Sequence, residues 1–235
     1  MAYDVAKHLN MFFENIKQNP IVVAFDIETV PDKTLIEEFY TEEELAEKEN
    51  MYQVSLGFHK VVVLSYCTID FAKKSISEPN VIINLDDEHK LLQDAVSIFK
   101  NFTKFVTFNG QNYDLPVLEK RSLLHGLSKS YSNESERINL KDLYFKVNEL
   151  QNQPWNHFDI FKVMNMKGQK GGLSFLLSLL NKQKYDNMKG HVVETLVTNN
   201  DIETLKQYAL QDAKLEAELF VEIVKFLAKD PIEFA

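Results

Sequence analysis

Cysteine is nearly absent: Cys67 is the only one in 235 residues. One thiol excludes an intramolecular disulfide and fits a reducing compartment. Within the apolar stretch Val61-Val62-Val63-Leu64-Ser65-Tyr66-Cys67 it is expected to act as a small buried hydrophobe, not a nucleophile. Long apolar runs are missing too. Nothing approaches the roughly 20 residues that cross a bilayer, and residues 1–20 alternate charged with apolar, without the core of a signal peptide. The expectation is a soluble, intracellular, cytoplasmic protein with no membrane contact, whose Asn101 and Asn133 sequons stay unglycosylated. There is no Gly-x-x-x-x-Gly-Lys, which excludes a nucleoside-triphosphate loop of that kind. No repeat, low-complexity tract or linker interrupts the chain, so residues 1–235 read as one domain.

Positive charge is also short: 26 Lys and Arg against 35 Asp and Glu, net −9. That sum is wrong for a protein that grips phosphates. Its distribution is less adverse. Residues 32–49 carry eight acids against Lys33 and Lys48, a local −6, and read as a solvated helical face around Leu35, Ile36, Phe39 and Leu45. Residues 160–191 carry six lysines against Asp186, a local +5, including the basic loop Lys167-Gly168-Gln169-Lys170-Gly171-Gly172. Lys167 and Lys170 beside a helix start suit a phosphate backbone.

Hydrophobic residues make up 45% of the chain and aromatics 11%, ample for a packed core. Strands are expected at about 21–28, 60–69, 80–85, 104–108 and near 157–163. Helices are expected at about 87–101, 114–126, 172–181 and 201–229, with 128–156 an irregular insertion. Three strands followed by helix-strand alternation give an α/β fold, a mixed central sheet flanked by helices.

Against that frame, Asp26 and Glu28 stand out inside Ile21-Val22-Val23-Ala24-Phe25-Asp26-Ile27-Glu28-Thr29. Strand alternation puts both carboxylates on one face, with Ile27 on the other. At about 4 Å and an effective dielectric of about 20, such a pair repels by roughly 4 kcal/mol. A divalent cation, or a strand end emerging into water, would relieve it. Asp114 follows Phe108-Asn109-Gly110-Gln111-Asn112-Tyr113 and opens a helix that tolerates Pro116 in its first turn; taken alone it reads as an N-cap. Tyr208 and Asp212, four apart, share a face of the last helix. His157 and Asp159 share a strand face and suit a supporting role. Glu194, Asp201 and Glu203, upstream of or opening the last helix, suit its cap and dipole.

Together, Phe25–Thr29, Phe108–Asp114 and Tyr208–Asp212 resemble the three motifs of the DEDD 3′–5′ exonucleases, in order, with 88 and 98 residues between successive key aspartates. The tyrosine four before the last aspartate marks the tyrosine (DEDDy) subclass; the histidine type would need His at position 207, which is Gln. Asp26–Asp32, Tyr113–Leu118, Trp155–Ile160 and Gly172–Leu176 extend the likeness, over about residues 20–228, to stand-alone relatives of the proofreading domain of family B DNA polymerases.

The resemblance implies a ribonuclease-H-like (DnaQ-like) fold and a two-metal exonuclease releasing 5′-mononucleotides from a single-stranded 3′ end. It implies that Asp26 bridges two ions, Mg²⁺ or Mn²⁺, and that Glu28 and Asp212 complete the nucleophile-side ion. Asp114 would support the second ion, and Tyr208 would orient the attacking water. Hard oxygen donors without a cysteine or histidine cluster agree with those metals over zinc. Thr29 and Asn109 become candidates for holding the terminal nucleotide, and Lys167 and Lys170 for its backbone. Kinship with proofreading domains favours DNA. An exoribonuclease, or a non-catalytic nucleic-acid-binding subunit of the same fold, are the alternatives. Any role in replication or repair would need a protein partner.

Overall fold

The computed structural model describes residues 5–46, 55–128, 134–153, 156–164, 172–180 and 191–227. Its centre is strand β1 (Ile21–Pro31), paired antiparallel with β2 (His59–Asp70) and parallel with β5 (Phe105–Thr107). Beyond β5 lies β6 (His157–Asp159), again parallel; on the far side β3 (Ser75–Ile76) and β4 (Asn80–Ile83) both pair with β2. The order is β3-β2-β1-β5-β6, with β3 pairing Ile69 and Asp70 of β2 and β4 pairing Val63 to Tyr66.

Alternation along β1 decides what each face carries. Val23, Phe25 and Ile27 pack with α4 (Glu88–Asn101), α5 (Asp114–Leu127) and α6 (Glu134–Asn152). Val22 and Ala24 face α1 (Val5–Gln18), α8 (Gly172–Leu179) and α10 (Ile202–Leu227), where Phe12, Phe158 and Phe220 meet edge to face at centroid distances of 5.0–5.9 Å. Asp26 and Glu28 continue the α10 face. Nearer that site, α9 (His191–Thr198) covers Val30 and Val62 with Val193 and Leu196. Four-residue α7 (Ile160–Val163) follows β6, while α2 (Lys33–Phe39), α3 (Glu42–Ala46) and a 3₁₀ turn (Leu56–Phe58) join β1 to β2. Among the described residues no helix is long and apolar enough to cross a membrane.

The expected strands and long helices are present, except that the strand or extended segment expected near 157–163 is strand only over His157–Asp159, because Asp159 caps the short helix α7 that begins at Ile160. Residues 128–156 are not irregular: α6 occupies 19 of them. Leu140, Leu143, Val147 and Leu150 lock it to α4 and α5, all essentially buried. That stripe is one residue wide, and the Ser, Asn and charged residues around it hide the helical period. The acidic segment 32–49 forms α2 and α3 in its described part, with Ile36 buried and Phe39 exposed. Helices α1 and α9 and strand β3 were not anticipated. Lys167 and Lys170 lie outside the described residues.

Candidate active site

Asp26, Glu28 and Asp212 converge, each offering a carboxylate oxygen within 4.8 Å of the others. Glu28 and Asp212 are buried and Asp26 is half-buried. Strand alternation supplies the first two; α10 supplies the third, its cap set by Asp201 Oδ1 accepting from the Thr204 backbone N–H at 3.2 Å. So the Asp201 expectation holds. Glu194 instead sits on α9 and pairs with Lys33 at 3.2 Å.

Asp114 opens α5 but does not cap it; the cap position is Tyr113, whose side chain makes no capping bond. The Asp114 carboxylate crosses to β1, where Oδ1 accepts the Ile27 N–H at 3.1 Å. It is thereby anchored between the two β1 acids. Burial, then the Asp26 charge, raise its carboxyl well above the usual carboxylate range.

Tyr208 lies one helical turn before Asp212 and hydrogen-bonds its carboxylate. Burial first, then the charges of Glu28, Asp212 and Asp26, push its phenol upward. A phenol so placed stays protonated and acts as a hydrogen-bond donor, not as a base.

The turn before Asp114 is held from behind. Asp159 caps α7 through the Lys162 N–H and also accepts the N–H groups of Asn109 (3.1 Å) and Gln111 (2.9 Å). Burial nonetheless raises its carboxyl. His157 bonds Thr107 Oγ1 at 2.8 Å, and that oxygen accepts from Gly110 N at 3.1 Å. His157 and Asp159 therefore support the turn, as their pattern suggested. Asn109 takes a left-handed φ of 68°, with its side chain engaged by Asn112.

Gly110 has no room for a side chain: a Cβ there would meet Thr107 Oγ1 at 2.3 Å and Thr107 Cβ at 2.5 Å. Gly110→Ala should therefore lower stability by about 1–3 kcal/mol by overpacking. Thermal melting measures it, and an unchanged Tm would show that Thr107 yields freely.

Thr29 is buried, and its hydroxyl lies 2.6 Å from the Tyr113 hydroxyl, which in turn is 3.2 Å from His59 Nδ1. This chain stitches β1, β2 and the start of α5 beside the carboxylates. Sequence reasoning missed His59 and the part of Tyr113, because a histidine inside an apolar strand carries no period or spacing that marks it.

The three oxygens need charge compensation. Three carboxylates this close, two of them buried, repel by several kcal/mol, and the donor set is all hard oxygen. A divalent, oxygen-seeking cation fits it.

A family model described as a predicted 3′–5′ exonuclease related to the exonuclease domain of PolB matches residues 52–224, a stretch holding Asp114, Tyr208 and Asp212 but starting after Asp26 and Glu28. DNA polymerase 1 of Aeropyrum pernix is 28% identical over 170 residues, 70% of this chain and 17% of that protein. DNA polymerase 1 of Pyrococcus abyssi is 23% identical over 227 residues, 88% of this chain and 29% of that one. The chain thus spans under a third of these relatives' length. The family B DNA polymerase structure from Pyrobaculum calidifontis aligns with a TM-score of 0.55 at 16% identity, covering 88% of this chain and 25% of that one. That likeness establishes the fold: a mixed α/β sheet flanked by helices.

Proposed function

Because the chain belongs to the family of predicted 3′–5′ exonucleases related to the exonuclease domain of PolB, we propose that it removes 5′-mononucleotides from the 3′ end of single-stranded DNA with two divalent cations. The observation that carries this is the convergence of Asp26, Glu28 and Asp212 from two distant parts of the chain, within 4.8 Å.

Asp26, Glu28 and Asp212 would hold one Mg²⁺ or Mn²⁺, and Asp26 with Asp114 the second. Bound there, the ions lower the pKa of water and neutralise charge gathering on the phosphate. The protein's own groups do the rest. Asp114, fixed by the Ile27 N–H, keeps its carboxylate aimed along β1. Tyr208, protonated and tied to Asp212, offers a phenol that positions water or the scissile phosphate. Thr29 and Asn109 would contact the terminal nucleotide, and Lys167 and Lys170, outside the described residues, would contact its backbone. DNA is preferred over RNA because the relatives that match are DNA polymerases.

Two measurements test the proposal. With 5′-labelled single-stranded DNA and RNA of one sequence, a metal-dependent ladder shortening from the 3′ end is expected, faster on DNA. A faster RNA ladder would reverse the substrate assignment, and no ladder on either would remove the catalytic one. In thermal melting, Mn²⁺ at about 100 times its Kd should add about 2.7 kcal/mol to stability by binding the folded state. A melting point indifferent to Mn²⁺ and chelator would speak for a fold without its metal centre.

A further inference from the structure

Behind the carboxylates, on the opposite face of the sheet, lies a buried ion cluster. Arg121 of α5 and Glu88 of α4 are each nearly inaccessible. The Arg121 Nε contacts Glu88 Oε1 at 2.9 Å and Oε2 at 3.0 Å, and Nη2 also reaches Oε2. The remaining donors go elsewhere: Nη1 to the Gly57 carbonyl at 3.0 Å, and Nη2 to Asp32 Oδ2 at 2.8 Å. His125 Nε2 lies 2.7 Å from Glu88 Oε2.

Three of these attachments bear on the active site. First, Asp32 is the residue immediately after β1, the strand that carries Asp26 and Glu28. It also caps α2, so its side chain fixes where that strand ends. Second, α5 is the helix that Asp114 opens, and Arg121 lies two turns further along it. Third, the β1–β2 register slips at Glu28: Glu28 faces Val63 and Thr29 faces Val61, leaving Val62 without an opposite residue. Such a bulge re-aims side chains and leaves backbone groups outside the ladder. The Val61 N–H is taken by Glu88 Oε1 at 2.6 Å. One carboxylate therefore holds the bulge beside Glu28 and the helix that delivers Asp114.

We infer that the Glu88–Arg121 pair is a positioning device for the metal centre, setting the distance between the β1 carboxylates and Asp114 by locking the β2 bulge and the strand exit to α5. The inference rests on the metal-dependent reading above. An apolar pair of similar volume would fill the same space, and buried ion pairs are seldom the stabler choice. What leucine and methionine could not do is accept the Val61 N–H and reach Asp32 and Gly57 together.

The test is titration calorimetry with MnCl₂, below the melting point of every variant, on wild type, Arg121→Met, Glu88→Gln and a control. The control is Leu143→Ala, a buried α6 position whose loss lowers stability but whose aliphatic side chain gives the network no hydrogen bond or charge. Glu88→Gln keeps an oxygen for Val61 but presents a donor to Arg121 and His125. Should Arg121→Met not fold, Glu88→Gln and the half-exposed arm Asp32→Asn carry the comparison. Mn²⁺ affinity is expected to fall about 10- to 100-fold in Arg121→Met and Glu88→Gln, the scale of lost outer-shell support. It should fall less in Asp32→Asn and stay at wild type in Leu143→Ala. Wild-type affinity in folded Arg121→Met or Glu88→Gln would overturn the positioning role alone, as would an equal loss in Leu143→Ala. Absence of Mn²⁺ binding by the wild type would overturn the metal centre, and this role with it.

Discussion

Asp26→Ala and Asp26→Asn should each lose at least about 10³-fold in nuclease rate, some 4 kcal/mol of transition-state stabilisation. Asn keeps the size of the side chain, removes its charge and turns one acceptor oxygen into a donor. Equal loss in both would therefore assign the effect to the carboxylate's charge, not to its packing. Asp26 is the most open of the three clustered acids, so its replacement should leave the fold intact and relieve repulsion with Glu28, Asp212 and Asp114. Metal-free Asp26→Asn is thus expected to melt at or above the wild-type temperature while being inactive. Asp212→Ala should be as inactive. Tyr208→Phe should retain measurable activity, because a protonated phenol contributes one hydrogen bond and no charge. Single-turnover rates with excess enzyme check all four variants. A Tyr208→Phe rate as low as that of Asp26→Ala would dissolve this division of roles.

The second large effect is on stability. Removing the guanidinium of Arg121 leaves the buried Glu88 carboxylate partly uncompensated, and Gly57 and Asp32 lose a donor. Breaking a buried pair in this way costs about 3–5 kcal/mol, or roughly 10 °C in Tm for a protein of this size. The pH dependence follows from Glu88. Burial pushes its carboxyl up, but the hydrogen bonds and charges of His125 and Arg121 outweigh that and hold it below the ordinary glutamate value. A carboxyl depressed on folding lends stability above its unfolded pKa of about 4.3, and that contribution is lost as pH falls through the folded value. Wild type should therefore lose stability steeply on acidification below about pH 5, and Glu88→Gln should show a shallower acid limb. Tm measured from pH 7 to pH 3 makes the comparison. Parallel curves would mean that other carboxyls govern acid unfolding.

Much of this was legible in the residues. Asp26 and Glu28 had to share a face because side chains alternate along a strand, and Tyr208 and Asp212 because four residues make one helical turn. Those local periods carried the strands, the long helices and the shared faces of the acids; the chemistry expected of them came from the resemblance of the three motifs. Asp114 was ambiguous in sequence, since a helix-opening aspartate ordinarily caps its own helix; only the tertiary position of Ile27 shows that it reaches across. The Glu88–Arg121 pair was invisible for a related reason. A charged residue within an amphipathic helix reads as solvated, and nothing local reveals that its face turns inward against a bulge. Helix α6 escaped notice because Leu140, Leu143, Val147 and Leu150 lie among polar residues, and its packing onto α4 and α5, not its own propensity, makes it a helix.

The placement of the third clustered acid also sets an order of assembly. Asp26 meets Ser65, its partner in the β1–β2 ladder, across 39 residues, but Asp212 across 186. Closing the longer span costs about 1.4 kcal/mol more chain entropy, and nothing before α10 supplies Tyr208 or Asp212. The antiparallel pair can thus form early while its two acids remain open to water. Their mutual repulsion with Asp212 is felt only once the last helix docks. A partly folded chain is then a molecule without a complete catalytic centre, and the capacity to cut arrives together with the native state.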